Sequence, residues 1–279
     1  MRQRPTWAAG GSPDMARVVV HPGFHKTGTS SLQTYLTKHR AALCPYMAFY
    51  GKDDFLQAGA AARLYAQRPF RWRLWLFRRR LDRFLATISD APVVVLSRET
   101  FSGSMPGHRR MSGRLITRYH DVAVPLGHQI NAALRARFGP DVQITYFYTL
   151  REREDWIRSV YGHLLRSIHL TCDFNAFRAQ FPDLIDPATE AMRITQNLGI
   201  ADVHCADLHD IGHRRAGPAS ALLDLIGVPA AVQDALPPAA RANAGQDLEL
   251  QNTFLALNRA GLSKAALKRR KEELRRLAD

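Results

Sequence analysis

Val18-Val19-Val20-His21-Pro22-Gly23-Phe24-His25-Lys26-Thr27-Gly28-Thr29-Ser30-Ser31-Leu32-Gln33 is the stretch that decides the fold. A β-branched run opens straight into a glycine-bearing loop. The loop leads into a segment with Leu32, Tyr35 and Leu36 at i, i+3, i+4, which is helix period. Strand, glycine loop and helix start, in that order, build a cradle for an anion. Backbone N–H groups from Thr27 to Ser30 converge at the positive end of the helix. Gly23 and Gly28 permit the tight turn and a close backbone approach, and the hydroxyls of Thr27, Thr29, Ser30 and Ser31 add donors. His25 and Lys26 sit inside the loop.

Outward from the loop, apolar runs alternate with amphipathic ones. Arg17–Pro22, Pro92–Ser97 and Val142–Leu150 read as strands, and Ala201–Cys205 as a weaker one. Helix periodicity covers Thr29–Arg40, Arg71–Ser89, Asn131–Phe138, Glu154–Arg166, Ala219–Ile226, Leu248–Arg259 and Lys264–Leu277. This pattern predicts βαβ units: a three-layer α/β sandwich with a central, mainly parallel sheet flanked by helices, of the P-loop nucleotide-binding type. Ligands in such sheets bind beyond the carboxyl ends of the strands. The irregular stretch Phe101–Gly127 follows a strand end and is expected to form a substrate rim. Residues 15–279 read as one domain with a basic C-terminal helix, and residues 1–14 as a disordered leader.

Composition narrows the classes. Of 279 residues 46% are hydrophobic and 23% charged, as in an ordinary globular chain. No run approaches the ~18 apolar residues of a membrane-spanning helix. Three widely spaced cysteines without a secretory signal point to a reducing, cytoplasmic setting. The net charge of +14 is concentrated, with +7 between Arg63 and Arg83 and +4 between Lys264 and Asp279. The first of these segments also carries Phe70, Trp72, Trp75, Leu76, Phe77 and Phe84. It reads either as a contact for anionic membrane or a polyanion, at the inner membrane surface, or as a surface helix with snorkelling arginines. No nucleic-acid-binding signature accompanies it.

A nucleoside-triphosphate loop requires Lys after its second glycine; Thr29 stands there, and the lysine is Lys26 inside the loop. The Lys26-Thr27-Gly28-Thr29-Ser30 run after a first strand instead resembles the 5′-phosphosulfate loop of sulfotransferases. These enzymes take sulfuryl groups from 3′-phosphoadenosine 5′-phosphosulfate (PAPS), and the stretch from Gly23 to Gln33 is especially similar to bacterial members. The family's second signature is an arginine at the end of a later strand with a serine eight residues on, together gripping the 3′-phosphate. Arg151 and Ser159 have that spacing, and a guanidinium and a hydroxyl suit phosphate. Arg151 could instead pair with Glu154 or Asp155. Arg241, in Arg241-Ala242-Asn243-Ala244-Gly245, resembles the segment closing over the nucleotide.

The resemblance implies PAPS as co-substrate, bound by Gly23, His25, Lys26, Thr27, Gly28, Thr29, Ser30, Arg151, Ser159 and Arg241. Lys26 would stabilise charge on the leaving group. Glu99, just after a buried strand, is the first candidate for general base, with a salt bridge to Arg98 or another basic residue as its structural alternative. His25 and His108 are reserves; Lys26 beside His25 should keep it neutral. No metal is expected. The Cys205, His209, His213 spacing could suit zinc, but its turn-like course favours capping roles. The acceptor is left open between a saccharide, a lipid headgroup, a peptide tyrosine and a small alcohol, offering a hydroxyl or amine, with basic rim residues His108, Arg109, Arg110, Arg114, Arg118 and His120 hinting at an anion. Rival readings are a P-loop kinase with a displaced lysine and a non-catalytic membrane- or polyanion-binding module.

Overall fold

Residues 16–240 and 248–278 are described in a computed structural model. Five strands, β1 (Arg17–His21), β2 (Ala48–Tyr50), β3 (Val93–Ser97), β4 (Gln143–Leu150) and β5 (Val203–Asp207), form one sheet in the order β2-β3-β1-β4-β5. Every neighbouring pair is parallel, with Val19 opposite Val95 on one side and Thr145 on the other. The chain runs outward from β1 to the β2 edge and back to β3, then crosses to β4 and β5. The order therefore reverses at β1, and a crevice opens beyond its carboxyl end.

Between and after the strands come α1 (Thr29–Lys38), α2 (Arg40–Leu43), α3 (Leu56–Gln67), α4 (Arg71–Leu85), α5 (His120–Phe138), α6 (Arg153–Ser167), α7 (Phe174–Arg178), α8 (Pro187–Asn197), α9 (Leu208–Ile211), α10 (Ser220–Ile226), α11 (Ala230–Ala235), α12 (Leu248–Arg259) and α13 (Lys264–Ala278). Strand side chains alternate between two cores because their period is two. Val18, Val20, Val94, Leu96, Tyr146 and Tyr148 pack with residues of α3, α4, α5, α6 and α8. Val19, Val93, Val95 and Phe147 pack with residues of α1 and α10. Each fully buried large side chain contributes about 1.5–3 kcal/mol of transfer free energy. Three layers result, as the alternating pattern predicts.

The departures are local. Helix α5 starts at His120, eleven residues earlier than its periodicity indicates, and takes in Pro125. Val122, Ala123, Leu126 and Ile130 bury its inner face, and the carboxylate of Glu190 caps it from α8 by accepting from the Tyr119 and His120 amides. Only 102–119 of the expected rim is irregular. Strand β2 and helices α2, α3, α7, α8, α9 and α11 are additional to the sequence reading. The C-terminal helices dock on the end of α6. Asn258 Nδ2 donates to Leu165 O (3.1 Å) and Leu170 O (2.8 Å), and Lys271 Nζ donates to Leu165 O (2.6 Å) and Ile168 O (2.7 Å). A cation on those last carbonyls complements the helix dipole, although burial pushes Lys271 down to about 8. No helix among the described residues is long and apolar enough to cross a membrane. The leader 1–14 and Arg241 lie outside the described residues.

Candidate anion site

The β1–α1 loop, Pro22–Gly28, turns by repeated left-handed residues. Gly23 has φ 59°, Lys26 φ 70° and Gly28 φ 89°, and Lys26 is the only non-glycine with positive φ among the described residues. A Cβ on Gly28 would stand 2.9 Å from Leu208 Cδ1, and one on Gly23 would stand 2.5 Å from Thr29 Oγ1, so both positions require glycine. Lysine in this region costs on the order of 1 kcal/mol, and such residues concentrate at functional sites.

Two hydroxyls expected to face an anion do not. Thr27 Oγ1 donates to Phe24 O at 2.8 Å and meets Thr149 Oγ1 at 3.4 Å. Thr29 Oγ1 donates to Phe24 O at 3.4 Å, and both threonines are buried. Both turn inward and brace the loop, Thr27 against Thr149 of β4; Ser30 is exposed and Ser31 half-buried at the helix start.

The loop is held from two further elements. The His25 amide donates to Tyr119 Oη (3.0 Å), just before α5, and Trp156 Nε1 in the first turn of α6 donates to His25 O (2.9 Å). Tyr119 stacks on Phe24 with ring centroids 4.5 Å apart. Thus both peptide groups of His25, the residue before strained Lys26, are pinned by buried aromatic side chains. His25 itself is pushed down to about 3, first by burial and then by His108, His163, Arg63 and, last, Lys26. Its neutrality is expected from the sequence, but desolvation is the leading cause and the neighbouring lysine a minor one.

Arg151 follows β4 directly, two residues after Thr149, which meets Thr27 of the loop. Its charge and that of Arg166 lower the proton affinity of Lys26, after burial, while Glu99 raises it. The alternative pairing of Arg151 is not formed: Glu154 instead binds Arg178 at 3.0 Å and Arg153 at 3.4 Å. Ser159 lies half-buried one turn beyond Trp156, and His163 and Arg166 continue its helical stripe at i+4 and i+7. Arg166 Nη2 donates to His163 Nδ1 at 3.4 Å. Burial, then Lys26, Arg166 and His108, push His163 down to about 4. The sequence reading missed His163 and Arg166; extending the Ser159 stripe along α6 finds them.

Glu99 opens the 3-10 turn Glu99–Phe101 beyond β3. Its Oε1 accepts from Ser30 Oγ at 3.5 Å, and burial raises its carboxyl above the usual range against the pull of Lys52, Ser30, Arg98 and Lys26. The expected Arg98 alternative is not formed, because Arg98 Nε donates to Thr100 Oγ1 (3.0 Å) and its Nη1 to Lys52 O. The basic rim is mostly occupied with itself: Arg110 and Arg118 reach Asp121 at 3.9 and 3.3 Å, and Arg109 donates to Gly113 O. His108 is the rim residue whose charge bears on His25 and His163. His204 pairs with Asp202 at 2.9 Å, and among the described residues no three His, Cys, Asp or Glu side chains are grouped to hold a metal ion. A separate cavity at the β2 edge, lined by Arg40, Cys44, Met47, Phe49 and Asp90 among others, gathers none of these groups.

Charge coupling thus links Lys26 to Arg166, Arg151 and Glu99, and His25 to His108, His163 and Arg63. Such a cluster favours an anion carrying more than one charge. Compared with known proteins, the chain matches no family model and no curated protein.

Proposed function

We propose that the protein is a sulfotransferase that moves a sulfuryl group from 3′-phosphoadenosine 5′-phosphosulfate to a hydroxyl or amine acceptor, a saccharide or lipid headgroup. What supports this reading is a lysine held at φ 70° in the glycine loop whose charge is coupled to Arg151 and Arg166. The residues suit the co-substrate. Loop amides and Ser30 offer donors for the 5′-end, while Arg151 and Ser159, flanking the Trp156 anchor, offer a bidentate cation and a hydroxyl for the 3′-phosphate. When bound, the donor supplies a sulfuryl group on a good leaving group.

Lys26 meets the negative charge that grows on the departing bridging oxygen. Glu99 takes the acceptor's proton as the new S–O or S–N bond forms and the bond to the 5′-phosphate oxygen breaks. Its raised pKa makes it a stronger base than a free glutamate. Positioning and electrostatics carry most of the rate in transfers of this kind.

Calorimetry with adenosine 3′,5′-bisphosphate and with ATP-Mg²⁺, followed by transfer of label from ³⁵S-labelled donor to an acceptor panel, tests the reading. Tighter binding of the bisphosphate together with label transfer supports it; preference for ATP-Mg²⁺ would sink it in favour of a kinase.

A further inference from the structure

The α3–α4 face turned away from the core carries a large apolar surface set in positive charge. Phe70, Trp72 and Trp75 are 52, 57 and 60% exposed and Leu64 is 38% exposed. On α4, Trp72, Trp75 and Arg79 follow at i, i+3, i+7, opposite the buried Phe77, Leu81 and Leu85. The helix therefore has its expected core face and, beyond it, a second apolar stripe that the core does not use.

The stripe is continuous and ordered. Arg73 donates to Leu64 O at 2.7 Å, and its guanidinium lies 5.0 Å from the Trp72 ring and 5.8 Å from the Phe70 ring. Arg79 lies 5.4 Å from the Trp75 ring. The segment 63–83 carries a net charge of +7, and the side chains of Arg68, Arg71 and Arg83 make no hydrogen bond or ion pair with any described residue. Contiguous exposed aromatic rings mark interaction sites. A second copy of this chain is a poor occupant, because two such patches repel. A polyanion would use the arginines but leave Leu64, Phe70 and both tryptophans in water.

We propose that this face docks on an anionic lipid bilayer, with Trp72, Trp75 and Phe70 at the headgroup–acyl boundary and the free arginines on lipid phosphates.

Sedimentation of the full chain with vesicles tests this directly. Binding is expected to vesicles containing about 30% phosphatidylglycerol and to be weak on phosphatidylcholine alone. The surface variant W72A/W75A should keep its melting temperature and lose about tenfold or more in partitioning. A second variant, R68Q/R71Q/R83Q, should lose affinity through charge while retaining the tryptophans. Brominated acyl chains should quench tryptophan fluorescence of the wild type on binding. Vesicle binding that W72A/W75A leaves unchanged, an absence of quenching, or tighter binding to heparin than to anionic vesicles overturns the proposal.

Discussion

Replacing Lys26 by Asn separates binding from folding at one residue. Lys26 holds φ 70° in the left-handed region, which asparagine tolerates better than lysine. Burial, then the charges of Arg166 and Arg151, also disfavour its ammonium, with Glu99 offsetting part of the penalty. Lys26→Asn removes both penalties, so the ligand-free protein is expected to gain up to about 1 kcal/mol, or ~2–4 °C in Tm. Binding should move the other way. A charge-assisted hydrogen bond to phosphate is worth about 1.5–3 kcal/mol, so Kd for adenosine 3′,5′-bisphosphate should rise roughly 10–150-fold. In the proposed mechanism the lysine acts most strongly on charge that develops during transfer, so the rate should fall by ~10²–10³, as it should for Lys26→Ala. Thermal melts, titration calorimetry and label transfer on one preparation read all three. Turnover within threefold of wild type, or a ligand-free variant that melts several degrees lower, refutes the assignment of Lys26 to an anion-facing role.

Trp156→Phe keeps the buried ring and deletes the bond to His25 O, so kcat should fall about tenfold with KM for the donor less affected; an unchanged kcat means the loop does not need this anchor. Glu99→Gln should remove most activity, and in the wild type kcat should climb with pH through a value above that of a free glutamate; an unaltered rate in the variant excludes Glu99 as base. Burial holds His21, His25 and His163 at about 3, 3 and 4, below the usual 6.5. The unfolded chain binds these protons first, so stability falls as pH drops below ~6.5. Glu190, raised to about 7 by burial, works in the opposite sense, as does Glu99. The histidines outweigh the two carboxyls, so Tm should decline between about pH 6.5 and 4.5, and a Tm that rises on acidification contradicts this balance.

Much of this fold was legible because its central strands β1, β3 and β4 are buried on both faces and its loop glycines are obligatory. Continuous runs such as Val93–Ser97 carry no competing helical signal, and the spacing from Gly23 to Gly28 has a direct backbone cause. The start of α5 was hidden because its cap, Glu190, comes from seventy residues away, while Pro125 and Gly127 read locally as breakers. Three-residue β2 is too short to show a period. Helix α8 was missed although Asp186 at its cap and Pro187 in its first turn carry a helix-start signal. In the site, residue types were readable but directions were not. Nothing in Thr27 or Thr29 says that its hydroxyl turns back to Phe24, and nothing in Arg109, Arg110 or Arg118 says that the rim consumes its own charge. Tyr119 and Trp156 look like ordinary core aromatics in the sequence; their polar atoms acquire a role only once three elements meet at His25.

The central claim is that the Lys26 loop and Arg151 hold opposite ends of one doubly phosphorylated adenosine. Titration of Arg151→Ala with adenosine 3′,5′-bisphosphate and with adenosine 5′-monophosphate tests it most directly. The account predicts a loss of about 1.5–3 kcal/mol for the bisphosphate and almost none for the monophosphate. Equal losses for the two ligands, or no loss for either, would contradict it.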